Sequence, residues 1–278
     1  MAKLQSSEIV GVANRPATIC VNTVCLWFDT TNLKPMASYC SRSGAGTWSA
    51  GGALITARYG IGVMGTQNEA LAAGGYQNTV VGVSCTEEYN GTSWAVGGAL
   101  INARLYLPGA GTQNEGLVAG GFTNVSLACT EEYNGTSWST GGALATARHA
   151  LAGAGTQNAG LVAGGAGPLS CTEEYNGTSW SAGGALINSR YVVSGAGTQN
   201  EAFVAGGVTT VSVSSCTEEY NGTSWSSGGA MITARGYLSG AGSRGAGLVV
   251  GGYTNGNPGL ACTEEYLKSS YTIVDCIL

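Results

Sequence analysis

Apolar and polar positions alternate along this chain in short runs that return with a regular beat. Between Arg104 and Leu144, Arg104–Gly111 is a small apolar run and Thr112–Asn114 a polar turn. Glu115–Gly121 is a second apolar run closed by paired glycines, Ala128–Tyr133 is a third, and Trp138–Gly142 is a fourth. Each run has the length of a strand and is bounded by turn residues. No window holds apolar residues at a sustained helical spacing. Asn134-Gly135, between the third and fourth runs, predicts a type I′ hairpin turn, whose two central residues need positive φ. Glu-Glu-Tyr recurs with its Tyr at Tyr89, Tyr133, Tyr175, Tyr220 and Tyr266, and Gly-Thr-(Ser)-Trp ends at Trp48, Trp94, Trp138, Trp180 and Trp225, with 42 to 46 residues between successive Trp.

Four antiparallel strands per period of about 40–50 residues predict one propeller blade per repeat. The chain divides into an arm, 1–14, and an all-β propeller, 15–278. Six four-stranded blades are expected, at about 15–52, 58–98, 104–142, 148–184, 190–229 and 235–278. The two end units are degenerate, as capping repeats usually are. In 15–52 the strands would be Thr18–Val21, Val24–Phe28, Pro35–Tyr39 and Trp48–Ala50. The last unit lacks Gly-Thr-Ser-Trp and would use Tyr271–Leu278 as its fourth strand. The alternative is five blades, with the strand of Trp48 completing the blade begun at Arg235 and 1–45 docking separately.

The placement of these residues resembles the Kelch family, including the blades of the galactose oxidase central domain. The matching positions are Gly-Gly at the end of the second strand (Gly74-Gly75, Gly120-Gly121, Gly164-Gly165, Gly206-Gly207, Gly251-Gly252), the Tyr of the third, the Trp of the fourth, and an Arg before each first strand (Arg58, Arg104, Arg148, Arg190, Arg235). The copper site of galactose oxidase needs several His and Tyr ligands, whereas this chain has one histidine, His149. The resemblance therefore implies the fold and not that chemistry. Asp occurs only at Asp29 and Asp275, so no calcium cage is expected. Without CxxC or a second histidine, no zinc site is expected either. No cofactor, no metal and no catalytic residue is assigned, and the expectation is a protein that is not an enzyme.

Gly is 47 of 278 residues, far above the ~7% of ordinary chains. The glycines are expected at strand ends and where small first strands converge on a central channel. The net charge of −5 is carried by the repeat's two Glu and one Arg per unit. Alternation along a strand separates each Glu pair, so one is expected in water and the other against a repeat Arg. Without a basic stripe, nucleic acid is not an expected partner. Five of nine cysteines (Cys85, Cys129, Cys171, Cys216, Cys262) occupy one repeat position and are expected as buried free thiols. Cys20, Cys25, Cys40 and Cys276 lie near the ends, where Cys276 could bridge to Cys20 or Cys25. Met1–Val10 has no signal-peptide core, and no run approaches a membrane span, so neither secretion by a cleaved signal nor membrane insertion is expected.

Leu26–Lys34, an aromatic strand followed by an Asp/Thr/Asn turn and a Lys, resembles a segment near the start of phage tail and fibre proteins. The near-identical repeats are similar to Kelch-type propellers of tailed phages. This resemblance implies a virion structural protein, tail- or fibre-associated, made in the host cytoplasm and located in the virion. Its partners would be other virion proteins or copies of itself, and host-surface carbohydrate or protein. The rival expectation is an intracellular Kelch-type protein-interaction module, with a degenerate glycan-active enzyme behind it. The repeats differ most between second and third strands, which points to a face of recognition loops. Tyr76, Asn78, Phe122, Asn124, Tyr253, Asn255 and Asn257 are the candidate ligand- or receptor-binding residues there, because aromatic and amide groups together suit stacking and hydrogen bonding to sugars.

Overall fold

The computed structural model of the chain describes residues 18–21, 24–29, 34–39, 50–77, 82–255 and 259–268. It divides into two compact units, Met1–Ala50 and Gly51–Leu278. In the first, strands Thr18–Val21, Val24–Asp29 and Lys34–Tyr39 form an antiparallel meander that sets Cys20 opposite Cys25. The arm 1–14, Cys40, Trp48, Cys276 and the expected strand Tyr271–Leu278 lie outside the described residues.

The second unit holds five sheets, each with its strands paired in sequence order. The first blade comprises Gly62–Gly65, Ala70–Ala73, Thr86–Tyr89 and Trp94–Val96. The second comprises Gly109–Gly111, Gly116–Ala119, Thr130–Tyr133 and Trp138–Thr140. The third comprises Ala152–Gly155, Gly160–Ala163, Thr172–Tyr175 and Trp180–Ala182. The fourth comprises Ser194–Gly197, Ala202–Ala205, Thr217–Tyr220 and Trp225–Ser227. The fifth has three described strands, Ser239–Ser243, Ala246–Val250 and Thr263–Leu267. The expected six blades are thus five, as in the alternative count. The sheet at 18–39 has strand lengths like a blade's but carries neither Gly-Gly nor Glu-Glu-Tyr, so it lacks the groups through which these blades join.

Within a blade, the repeat Arg is the anchor. Arg104 is fully buried, and its Nη1 donates to the carbonyls of Gly120 and Cys129 at 2.8 Å each, pinning the ends of the second and third strands. Its Nη2 meets Glu131, which is equally buried. Glu131 also accepts the amides of Ile101 and Asn102 at 2.7 and 3.0 Å, which fastens the segment that enters this same blade from the preceding one. The same Arg–Glu pair recurs as Arg58–Glu87, Arg148–Glu173, Arg190–Glu218 and Arg235–Glu264, at 2.9 to 3.3 Å. This confirms the expected partner of the first Glu of each pair.

In the first four blades the second Glu is spoken for too, which corrects the expectation that it is merely solvated, while Glu265 of the fifth blade is exposed. The Tyr133 hydroxyl donates to Glu88 of the preceding blade, Tyr175 to Glu132 and Tyr220 to Glu174 at 2.5 Å, and Tyr266 to Glu219. The Trp138, Trp180 and Trp225 indoles reach back to Thr86, Thr130 and Thr172 of the preceding blade at 2.9 to 3.0 Å. Gln113, Gln157 and Gln199 bond the preceding blade's Tyr89, Tyr133 and Tyr175 carbonyls at 2.7 Å. At the fifth blade Arg244 takes the Gln position, bonding the Tyr220 carbonyl at 3.1 Å and Glu201 at 2.9 Å. Tyr and Trp also stack within each of the first four blades at 4.8 to 4.9 Å between centroids, so both aromatics are structural. Burying one such ring contributes about 2–3 kcal/mol.

Two local expectations change. The Asn-Gly turn is not type I′: Asn134 Oδ1 accepts the amides of Thr136 and Ser137, and only Gly135 has positive φ, 86°. The extra residues before Trp138 make a four-residue loop, and the Asn side chain closes it in place of a left-handed backbone. The repeat cysteines are free, but Cys85, Cys129, Cys171 and Cys262 are half-buried and Cys216 is exposed. Buried arginine side chains lie against them, with Nη1 to Sγ distances of 3.2 Å for Arg104–Cys129 and 3.1 Å for Arg148–Cys171.

Two measurements check this account. Glu173→Ala strands a buried guanidinium and should cost about 3–5 kcal/mol in denaturant unfolding, while Arg148→Met with Glu173→Leu should recover most of that loss. Burial, with the bond to a carboxylate, pushes the Tyr133, Tyr175 and Tyr220 phenols up to about 12. A phenol in the unfolded chain ionises near 10. Stability from these groups is therefore full below pH 10 and lost as pH rises towards 12. Melting temperature against pH should fall in that window, and Tyr133→Phe should make the fall shallower.

Candidate functional site

Sequential antiparallel strands put both hairpins of a blade on one face. The other face carries the loop between second and third strands and the connection entering each first strand. Neither the second-to-third loops nor those connections contain Asp, Glu or Lys, and their only charged residues are the buried repeat arginines. The hairpin face instead exposes Glu69, Glu115 and Glu201. The two faces therefore differ in chemistry: one acidic, the other uncharged.

The uncharged face is built around an arc of four backbone bonds that links the five blades in order. The amide of Tyr106 donates to the carbonyl of Gly60, Ala150 to Tyr106, Val192 to Ala150, and Tyr237 to Val192, at 2.7 to 3.0 Å. To make these bonds each residue takes positive φ: Gly60 at 67°, Tyr106 at 53°, Ala150 at 56°, Val192 at 47° and Tyr237 at 55°. For residues other than glycine that conformation costs about 1–2 kcal/mol each. Beneath the arc, Ile61, Leu107, Leu151, Val193 and Leu238 are among the residues lining an axial cavity of about 180 Å³. All five blades therefore contribute to one channel, as expected of small, glycine-rich first strands.

Of the sequence candidates, Tyr76, Phe122 and Tyr253 are on this face, each held by an isolated bridge to the neighbouring connection: Tyr76 to Tyr59, Phe122 to Leu105 and Tyr253 to Gly236. Asn124 and Asn255 are exposed in the same loops. Asn78 and Asn257 lie outside the described residues. The candidates are not clustered alone. Tyr59 stacks on Tyr76 at 5.0 Å, His149 on Phe122 at 4.7 Å and near Tyr106 at 6.3 Å, and Tyr237 meets Tyr253 edge-on at 6.4 Å. Burial raises the Tyr106 phenol, with Tyr59 and Tyr237 adding to the shift. Burial likewise raises Tyr237, with Tyr191 and Tyr253 adding. The rings thus form three aromatic groups on one face, Tyr59 with Tyr76, Phe122 with His149 and Tyr106, and Tyr237 with Tyr253, and both phenols stay protonated. Burial lowers His149, leaving a neutral imidazole whose Nδ1 lies 3.0 Å from the Ser126 hydroxyl.

Sequence reading missed Tyr59, Tyr106, Tyr191 and Tyr237. They follow the repeat Arg by one or two residues, and their places are held by Leu105, His149, Ala150, Val192 and Gly236 in other blades. Variation at those places was a usable signal. Among the described residues, no group of three or more His, Cys, Asp or Glu is arranged to hold a metal ion.

Among solved structures, one described as the structure of YjhT, a propeller protein, matches with a TM-score of 0.65 at 12% identity, covering 92% of this chain and 93% of that one. The fold is a β-propeller. At that identity the likeness speaks for the propeller architecture alone. No family model matches the chain, and no curated protein matches its sequence.

The strained arc of the propeller generates a prediction. Ala150→Gly relieves a positive φ and should leave stability unchanged or raise it by up to about 1 kcal/mol. Ala163→Gly, in a buried strand with ordinary φ, should lower it by about 1 kcal/mol. Paired thermal melts give both signs.

Proposed function

We propose that this chain is a non-enzymatic recognition protein of a phage virion, associated with tail or fibre, which attaches or docks through its uncharged axial face. The carrying observation is the division of labour between residues. Most of the repeat's ionisable side chains are engaged in joining strands and blades, while variable positions of the first, second and fifth blades bring aromatic groups to one uncharged face. A Kelch-type scaffold supports this reading, because constant blades present loops that can change without disturbing the ring. The phage-like segment Leu26–Lys34 supports the virion assignment. In this role the protein binds and does not turn over its ligand.

Mass spectrometry of purified virions, with antibody labelling of intact particles, tests the placement. The expected outcome is stoichiometric recovery with label at the tail. Purified protein should also bind the host bacterium saturably and slow phage adsorption. Absence from washed virions removes the virion role.

A further inference from the structure

The tyrosines of the inner ring were not among the sequence candidates, and their setting specifies a ligand. Tyr59 and Tyr237 are 55% and 56% exposed beside a half-buried Tyr106. The first blade has Gly60 at the strained position, which shows that the backbone arc needs no side chain there. Tyr106 and Tyr237 are nevertheless the two large aromatic residues at a position that Ala150 and Val192 fill equally well in the third and fourth blades. The cavity just below is lined by aliphatic side chains together with Ser194, Ser239 and glycine backbone, so the floor of the site is mixed and carries no charge. No carboxylate, lysine or free arginine belongs to the loops of this face, and the groups facing the ring that can titrate are the neutral His149 and the phenols themselves.

We propose that this tyrosine ring binds a neutral saccharide chain, with pyranose faces stacked on Tyr59, Tyr106 and Tyr237 and sugar hydroxyls bonded to the phenols. The assignment rests on the recognition role proposed above and names its ligand class. Aromatic rings offer flat apolar area at low conformational cost, and each phenol adds a donor and an acceptor at the rim. That combination matches a sugar, whose ring faces are apolar and whose edges are hydroxylated. An anionic ligand would find no cation here. Tyrosine serves protein interfaces as well, and the periodate and glycine-variant arms below separate a docked protein from a sugar.

Titration calorimetry of the full chain with maltohexaose, laminarihexaose and chitohexaose, and with hexagalacturonate as an anionic counterpart, tests the assignment. At least one neutral hexasaccharide should bind and hexagalacturonate should not. Tyr106→Gly with Tyr237→Gly adopts the first blade's own solution, so the melting temperature should hold while affinity falls at least tenfold. Tyr106→Phe with Tyr237→Phe keeps stacking, loses the hydroxyls, and should fall between. Failure of all three neutral sugars to bind, equal binding by the glycine variant, or preference for hexagalacturonate overturns the assignment. Cell binding separates this from the broader role. Saturable binding to the host that survives both the glycine substitutions and periodate oxidation of the cells sinks the saccharide and leaves recognition standing. No binding to cells at all removes both.

Discussion

A guanidinium buried without water must find its partners inside the protein, and that requirement organises every blade of this propeller. Arg104 has no exposed surface; its charge is met by Glu131 and its Nη1 by the carbonyls at the ends of two strands, while its Nε is buried without a partner. Such a pair adds little net stability over an apolar substitute, but half of it is strongly unfavourable. The value lies in geometry. One side chain fixes where two strands stop, and the carboxylate it holds receives Ile101 and Asn102 from the segment that enters the blade from its predecessor. That segment leads to the axial arc of backbone bonds. The recognition surface is therefore positioned by charges it does not display.

Much of this was legible in the letters. Paired glycines, Asn-Gly turns and the Arg and Glu of each repeat gave the strands and the intrablade ion pair, because those interactions are local to one repeat. The Tyr133–Glu88 bond was not legible, since the two residues sit in different blades and each looks self-sufficient in its own. Blade number escaped as well. Length and strand rhythm made 15–52 look like a sixth unit, but rhythm does not report whether a sheet carries the tyrosines and carboxylates that bind it to neighbours. At the site, Tyr76, Phe122 and Tyr253 were found because they stand in loops of obvious variation. Tyr106 and Tyr237 were hidden because nothing in a Tyr codes for positive φ; the arc of amide bonds imposes it.

The contrast between faces follows from the same economy. With only 10% charged residues, the described part of the propeller places most of its charges within and between blades, and exposes Glu69, Glu115 and Glu201 on the hairpin side. Ser, Thr, Asn and Gln carry solubility elsewhere. A surface free of fixed charge can hold a ligand without much dependence on salt, since screening acts on charges and not on stacked rings.

Near-identical blades raise a question of address, because any blade offers almost the same flank to any other. The junction between fourth and fifth blades answers it in part with Arg244, which stands where its siblings have Gln and reaches Glu201. A fifth blade seated by mistake on the third would find Ala159 at the place of that carboxylate. An exposed pair of this kind contributes only about 0–1 kcal/mol to the finished ring. Glu69 and Glu115 hold the same place in the first and second blades, so the pair discriminates against the third blade alone, and the short connection from the fourth blade to the fifth settles the rest.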